Sequence, residues 1–347
     1  MRRWLALLLA AMMLLGCAPA EMADVEEISL DEEESAEAPA EETAPAAADG
    51  ADPVPAEPGA FPPLNEQGFL DEGEFVYIDE EAGVWRYASP TLRVEIYRRT
   101  QDKPKLVWYE AEIWAAEGEI FRMLPWSEGS RRWTNLNYPY KTARKHGCVF
   151  ALSGDFAHLR LSKKQTAGIL VRGGEIVNSR TNRANKQFPN LDTLALMPDG
   201  EMRVYTSNEL KARDYVDMGA LDVLAFGPYM IRDGELNTAA LKKFATGSAP
   251  RTAIGMVEKG HYFAIVTEGR VDRSKGCSVR FCAERMLELG CTAAFNLDGG
   301  QSSAMVFMGH QVNLIVNGSG KRASARKAAE ILGIGFSTRV AAPGDPF

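Results

Sequence analysis

The run Ala294-Phe295-Asn296-Leu297-Asp298-Gly299-Gly300-Gln301-Ser302-Ser303 carries the densest chemistry in the chain. An apolar segment ends on an amide and a carboxylate, and two glycines and two hydroxyls follow. Adjacent glycines let a backbone approach a ligand closely, and their N–H groups can face an anion. Asp298 sits at a strand end, where a rigid frame can hold a reactive carboxylate. The Gly-x-Gly-x-x-Gly of dinucleotide sites is absent, and no Gly-Lys-Ser/Thr follows, so neither common nucleotide loop is present. Taken alone, such a loop reads equally well as a tight turn.

Three further segments accompany it. Val149–Leu152 runs into Ser153-Gly154-Asp155-Phe156. Pro250-Arg251-Thr252-Ala253-Ile254-Gly255 opens a strand, and the strand that returns from it ends in Thr267-Glu268-Gly269-Arg270. In order and rough spacing, the four segments resemble the landmarks of the phosphodiester glycosidase family: an Asn-Gly-Asp-Phe-like segment, an Arg-Thr-x-x-Gly strand, an Asp-Gly-Arg and an Asn-Leu-Asp-Gly-Gly-Gly-Ser-Ser loop. The resemblance covers about residues 138–336. Three positions depart from it: Ser153 stands for Asn, Glu268 for Asp and Gln301 for the third Gly. Glu268 keeps a carboxylate with a longer reach, Gln301 removes backbone freedom, and Ser153 takes away whatever the Asn supplied.

The resemblance implies hydrolysis of a glycosyl-1-phosphodiester at the sugar C–O bond, with GlcNAc as the default sugar. Such cleavage passes through an oxocarbenium-like state that nearby carboxylates favour. On this reading Asp298, Asp155 and Glu268 are the catalytic candidates. Arg251 and Arg270 suit a phosphate, since a guanidinium grips two oxygens at once. Asn296, Gly299, Gly300, Ser302 and Ser303 would contact phosphate or sugar. The competing structural reading is that Arg251 or Arg270 pairs with Glu268 or Asp298 to brace the hairpin. Two other functions stand beside the hydrolase. One is a glycan- or envelope-binding lipoprotein without turnover. The other is a phosphodiesterase cutting P–O, which usually needs a metal pair whose ligands are not visible. His146, His158, His261 and His310 are scattered, and neither His-x-x-x-His nor Cys-x-x-Cys occurs, which argues against a transition metal. No cofactor is expected, although an oxygen-ligated cation near Asp298 remains compatible with the sequence.

The elements that must position these residues start late in the chain. Arg2 and Arg3 precede the apolar run Trp4–Leu15, which is too short for a lasting membrane span, and Leu14-Leu15-Gly16-Cys17 looks like the lipobox of a bacterial lipoprotein. Residues 1–17 are therefore expected to be a signal peptide that leaves Cys17 lipidated and the protein anchored outside the cytoplasm. Residues 18–68 hold fifteen acids, no Lys or Arg and eight of eighteen prolines, the composition of a disordered tether. Residues 69–347 then carry 32 acids against 37 bases, a net of +5, so the formal charge of −8 belongs to the tether. That balance gives no support to nucleic-acid binding.

From Phe69 onward, short alternating segments are split by turn signals. Hairpins are expected at Gln101–Pro104, Gly173-Gly174, Pro198–Gly200, Asp233-Gly234 (closing a strand over 222–231) and Glu258–Gly260. Helices are expected over Pro139–Lys145 and over Ser278–Leu289, with Ser278 as N-cap and Gly290 as stop. The pattern predicts one α+β domain, a mixed and largely antiparallel sheet built from hairpins with a few packed helices. Beyond Cys17, the cysteines Cys148, Cys277, Cys282 and Cys291 permit two disulfides in three connectivities. The apolar placement of Cys282 and Cys291 favours at most one.

Overall fold

A computed structural model describes residues 59–127, 135–154, 168–179 and 191–342. Cys17, Asp155, His158 and most of the expected tether lie outside the described residues. Three antiparallel sheets make up a mainly β fold. The first runs, in spatial order, through strands Phe75–Asp79, Val84–Ala88, Leu92–Asp102, Lys105–Ala115, His261–Thr267, Thr252–Glu258, Ala293–Leu297, Tyr229–Arg232 and Glu235–Leu236. The second contains Met202–Tyr205, Asp192–Leu196, Asp222–Phe226, Leu170–Arg172 and Glu175–Asn178. The third contains His310–Gln311, Met305–Phe307, Cys148–Ser153, Glu330–Phe336 and Arg122–Pro125. Every pairing among these strands is antiparallel, so the parallel component allowed for in a mixed sheet is absent from the described residues.

Alternation along the strands explains the layering. Ile254, Ala264, Val266, Phe295 and Leu297 face a core shared with Phe150, Leu194, Met305 and Leu332 of the other two sheets. The residues between them, Ala253, Phe263, Ile265 and Ala294, face the helix Val279–Glu288. That helix begins as expected: the Ser278 hydroxyl accepts from Phe281 N–H at 3.4 Å, and Gly290 ends it at φ 84°. Val279, Cys282 and Met286 form its buried stripe. The first sheet is thus covered on both faces, and the ends of its central strands are fixed in place.

Two expectations change. The strand expected over 222–231 is broken: Asp222–Phe226 pairs with Asp192–Leu196 in the second sheet, while Tyr229–Arg232 pairs with Ala293–Leu297 in the first. Gly227 at φ 83° turns the chain between them, and Pro228 has no N–H to continue a ladder. Residues 59–68, expected to be tether, pack on the domain. Arg86 donates to the Gly59 carbonyl at 2.6 Å, Phe61 sits edge-on to Phe75 at 5.5 Å, and Asn65 Oδ1 accepts from Gln67 and Phe69 N–H. Cys148, Cys277, Cys282 and Cys291 are free and buried; the Cys277 and Cys282 sulfurs lie 3.7 Å apart.

Candidate functional site

Antiparallel register brings Arg251, Glu268 and Asp298 to one end of the first sheet. Thr252 pairs with both Val266 and Leu297. Arg251 therefore precedes its strand where Thr267, Glu268 and Asp298 leave theirs. Arg251 and Thr267 lock together: Arg251 N–H donates to Thr267 Oγ1 at 2.9 Å, and Thr267 N–H donates to the Arg251 carbonyl at 2.9 Å.

After Leu297 the chain crosses from the first sheet to the third. Asp298 is 8% exposed, and its Oδ1 accepts from Gly299 N–H at 3.0 Å. Gly300 N–H donates to the Pro250 carbonyl at 2.9 Å, and a 3-10 turn follows over Gly300–Ser302. Glycine is needed at both positions for different reasons. A Cβ on Gly299 would lie 2.9 Å from the Pro250 carbonyl oxygen, whereas Gly300 adopts φ 66° with Arg270 Nη2 directly above it, 3.3 Å from where a Cβ would stand. The loop enters the third sheet beside the end of Cys148–Ser153, where Ser153 N–H donates to the Ala304 carbonyl at 3.0 Å and Ala304 N–H donates to Ser153 Oγ at 3.3 Å. Ser153, in the place of the family's Asn, thus ties the segment that leads to Asp155 onto the Asp298 loop.

The structure gives the loop's N–H groups partners that the sequence did not foresee. Those of Gly299 and Gly300 are taken by Asp298 and Pro250, and those of Ser302 and Ser303 by the Gly299 and Gly300 carbonyls. The glycines therefore supply close approach and shape rather than free donors. Unpaired polar atoms lie in the side chains instead. Asn296 Oδ1, Ser303 Oγ and Thr252 Oγ1 are buried without a hydrogen-bond partner, while Asn296 Nδ2 donates to the Gly227 carbonyl at 2.8 Å. A buried polar atom without a partner costs about 1–3 kcal/mol, and these three lie on or beside the loop.

The charged candidates separate into two groups. Glu268 is 1% exposed and accepts from Arg273 Nε at 2.8 Å, Arg273 Nη2 at 2.6 Å, Tyr109 O–H at 3.1 Å and Leu314 N–H at 3.1 Å. Its partner is therefore Arg273, a residue the motif reading did not single out, and not Arg251 or Arg270. The signal available was a lone Arg five positions on, across a turn closed by Val271 and Ser274. Arg251 donates to the carbonyls of Cys277, Ala245 and Gly247 at 3.1, 3.0 and 2.7 Å. Burial holds its guanidinium below the usual arginine range, and the nearby Arg270 charge pushes the same way. Arg270 itself is exposed, at φ 64°, and makes no ion pair with a described carboxylate. The Arg270 guanidinium thus lies over Gly300, whereas the Arg251 guanidinium is committed to backbone carbonyls. Two of the histidines serve the frame: His261 bonds Glu112 at 2.8 Å and stacks on Trp114, and His146 bonds the Pro125 carbonyl at 2.7 Å.

Comparisons with known proteins bear on the family and the fold. The family model for phosphodiester glycosidase matches residues 146–335, over half of the chain. A solved structure of the zebrafish N-acetylglucosamine-1-phosphodiester alpha-N-acetylglucosaminidase catalytic domain, auto-inhibited by pro-peptide, is similar in fold. It has a TM-score of 0.57 and 17% identity over 75% of this chain and 87% of that one. A curated relative, the SPbeta prophage-derived uncharacterized protein YomE of Bacillus subtilis strain 168, is 32% identical over 133 residues. That match spans 38% of this chain and 21% of the relative's length. The matched range spans all four motif segments: this chain belongs to the phosphodiester glycosidase family.

Proposed function

We propose that the protein hydrolyses glycosyl-1-phosphodiesters at the bond between the anomeric carbon and the bridging oxygen. GlcNAc is the sugar that family membership makes the default, and cell-envelope glycans or exopolysaccharide are the setting. The observation that carries this reading is the meeting of Asp298, the Gly299–Ser303 loop and the Arg251–Arg270 pair at one end of the first sheet.

The chemistry follows from the chain's own groups. Water supplies hydroxide to the anomeric carbon and a proton to the departing oxygen, leaving a free sugar and a phosphomonoester. Asp298, oriented by Gly299 N–H, faces the developing oxocarbenium charge as nucleophile, base or stabiliser, with Asp155 as the second carboxylate. A phosphate leaves with less protonation than an alkoxide but needs cations. Arg270 binds it directly, and Arg251, its side-chain N–H groups committed to carbonyls, contributes charge without direct contact. Asn296, Ser302 and Ser303 bind through side chains. Glu268 is a positioning residue: with Arg273 it fixes the turn that presents Arg270. The reaction as written uses no cofactor. The expected anchor is lipid on Cys17, which places the domain outside the cytoplasm.

A binding protein on the same fold is the second reading, favoured by the engagement of Glu268 and of the Gly299, Gly300, Ser302 and Ser303 N–H groups. Incubating the full chain with a synthetic GlcNAc-1-phosphodiester, with products read by mass spectrometry, separates the two. The hydrolase predicts free GlcNAc and phosphomonoester, reduced by about 10²–10⁴ in Asp298→Asn. Release of GlcNAc-1-phosphate, or no product from a folded chain that still binds the diester, contradicts it.

A further inference from the structure

Between Asp298 and Glu330 the sequence holds no acid, yet it holds Lys321, Arg322, Arg326 and Lys327. These residues sit on a built loop. Asn317 Oδ1 accepts from Ser319 and Lys321 N–H, Asn317 N–H donates to the Lys321 carbonyl at 2.9 Å, and Val316 bridges to Arg322.

The loop is docked on the candidate site from several directions. Gln301 Nε2 donates to the Ser324 carbonyl at 3.1 Å, and Arg326 N–H donates to the Gln301 carbonyl at 3.2 Å. Asn313 accepts from Met305 N–H and donates to the Ser303 carbonyl, while Leu314 N–H reaches Glu268. Gly320 packs against the Arg270 backbone, where a Cβ would stand 2.7 Å from the Arg270 carbonyl oxygen. Gln301, the residue that departs from the family's third Gly, is thus the strut that fixes the loop beside Asp298.

Lys321, Arg322 and Lys327 are exposed, and Arg326 is half-buried. Among the described residues none of the four, nor Arg270, forms an ion pair with a carboxylate; the neighbouring cations Arg273 and Lys275 do, with Glu268 and Asp272. Lys327 rests 5.2 Å from the Tyr138 ring centre. Like charges held within one short loop, without an ion pair to a described carboxylate, raise the local concentration of anions. One phosphodiester brings one negative charge, which Arg270 and Arg251 already meet, so four further cations fit more than one phosphate.

We infer that the 317–327 loop binds phosphates flanking the one that is cleaved, so that the substrate is a polymer whose units are joined by phosphodiesters. The inference rests on the reading of Arg270 as a phosphate group's partner, and binding is measured separately from turnover so that the two can fail separately. Binding of the full chain to poly(glycerol phosphate) is followed against salt concentration for the parent and for Lys321→Ala/Arg322→Ala/Lys327→Ala, alongside sugar release from a single GlcNAc-1-phosphodiester. The triple variant is expected to weaken polymer binding by about tenfold or more and to flatten the log–log salt slope by about 2, three contacts at about 0.7 each. Turnover of the single diester is expected to stay within about twofold. The charge-keeping variant Lys321→Arg/Arg322→Lys/Lys327→Arg is expected to restore polymer binding.

An unchanged affinity and slope in the triple variant would overturn the inference. So would equal binding of dextran sulfate, or tighter binding of phosphatidylglycerol vesicles than of the polymer. Loop-dependent polymer binding without sugar release from any diester would leave this inference standing and remove the hydrolase.

Discussion

Replacing Gly299 by alanine tests whether the Asp298 loop is held by its contact with the Pro250 backbone. A Cβ there would stand 2.9 Å from the Pro250 carbonyl oxygen, which also accepts Gly300 N–H at 2.9 Å. Gly299 itself has φ −117°, ordinary for any residue, so the effect is steric and not conformational. Overpacking costs about 1–3 kcal/mol, and the Gly300 hydrogen bond displaced with it about 1 kcal/mol. The sum of about 2–4 kcal/mol lowers Tm by about 5–15 °C, at about 2–4 °C per kcal/mol for a domain of this size. Gly300→Ala is the contrasting case. Its positive φ costs about 1–2 kcal/mol, but its Cβ meets only the mobile end of Arg270, 3.3 Å away. It should therefore melt closer to the parent while losing phosphate binding through a displaced Arg270. Adding Arg270→Ala should leave its stability cost in place, because that cost is conformational. Thermal unfolding of the full chain followed by circular dichroism gives the comparison. If Gly299→Ala melts within about 1 °C of the parent, or if Gly300→Ala is the more destabilised, the contact reasoning is refuted.

Other perturbations probe the frame. Arg273→Ala leaves the buried Glu268 carboxylate with only Tyr109 and the Leu314 N–H. Because Arg273 is half exposed, water offsets part of the loss, and about 1–3 kcal/mol is expected in urea unfolding, partly recovered by adding Glu268→Gln; full additivity of the two changes would contradict the pairing. Arg251→Lys keeps the charge but cannot reach three carbonyls. It should lower both Tm and kcat/KM, and a silent substitution would assign the guanidinium no bracing role. Burial pushes the Cys148 and Cys291 thiols up to about 12 from the usual 9.0. Since the folded state keeps these protons longer than the unfolded state, the stability they contribute is complete below pH 9 and drains away as pH rises towards 12. Iodoacetamide at pH 8.5 should spare both until the chain unfolds, and Cys148→Ala should flatten the alkaline decline in Tm.

Much of this architecture is legible along the chain because strand alternation and turn residues are local signals. The hairpins at Gly173-Gly174, Pro198–Gly200 and Glu258–Gly260 and the helix from Ser278 to Gly290 follow from them directly. The partition into three sheets does not, since it depends on which distant strands pair. Gly227-Pro228 illustrates this: a continuous apolar run conceals a switch between sheets. Residues 59–68 read as tether by composition, yet Phe61 and Asn65 give them specific contacts. The same limit applies at the site. Asp298, Arg251, Glu268 and Arg270 could be gathered by motif, but that Glu268 belongs to Arg273 is a matter of side-chain geometry. So is the fact that the glycine N–H groups are already spent, and neither has a sequence signature.

The proposed hydrolysis turns on breakage of the sugar C–O bond. Hydrolysis of a GlcNAc-1-phosphodiester by the full chain in ¹⁸O-labelled water tests it directly. C–O cleavage predicts label in the released GlcNAc, none in the phosphomonoester, and both products reduced by about 10²–10⁴ in Asp298→Asn. Label in phosphate would mean attack at phosphorus and would contradict C–O cleavage.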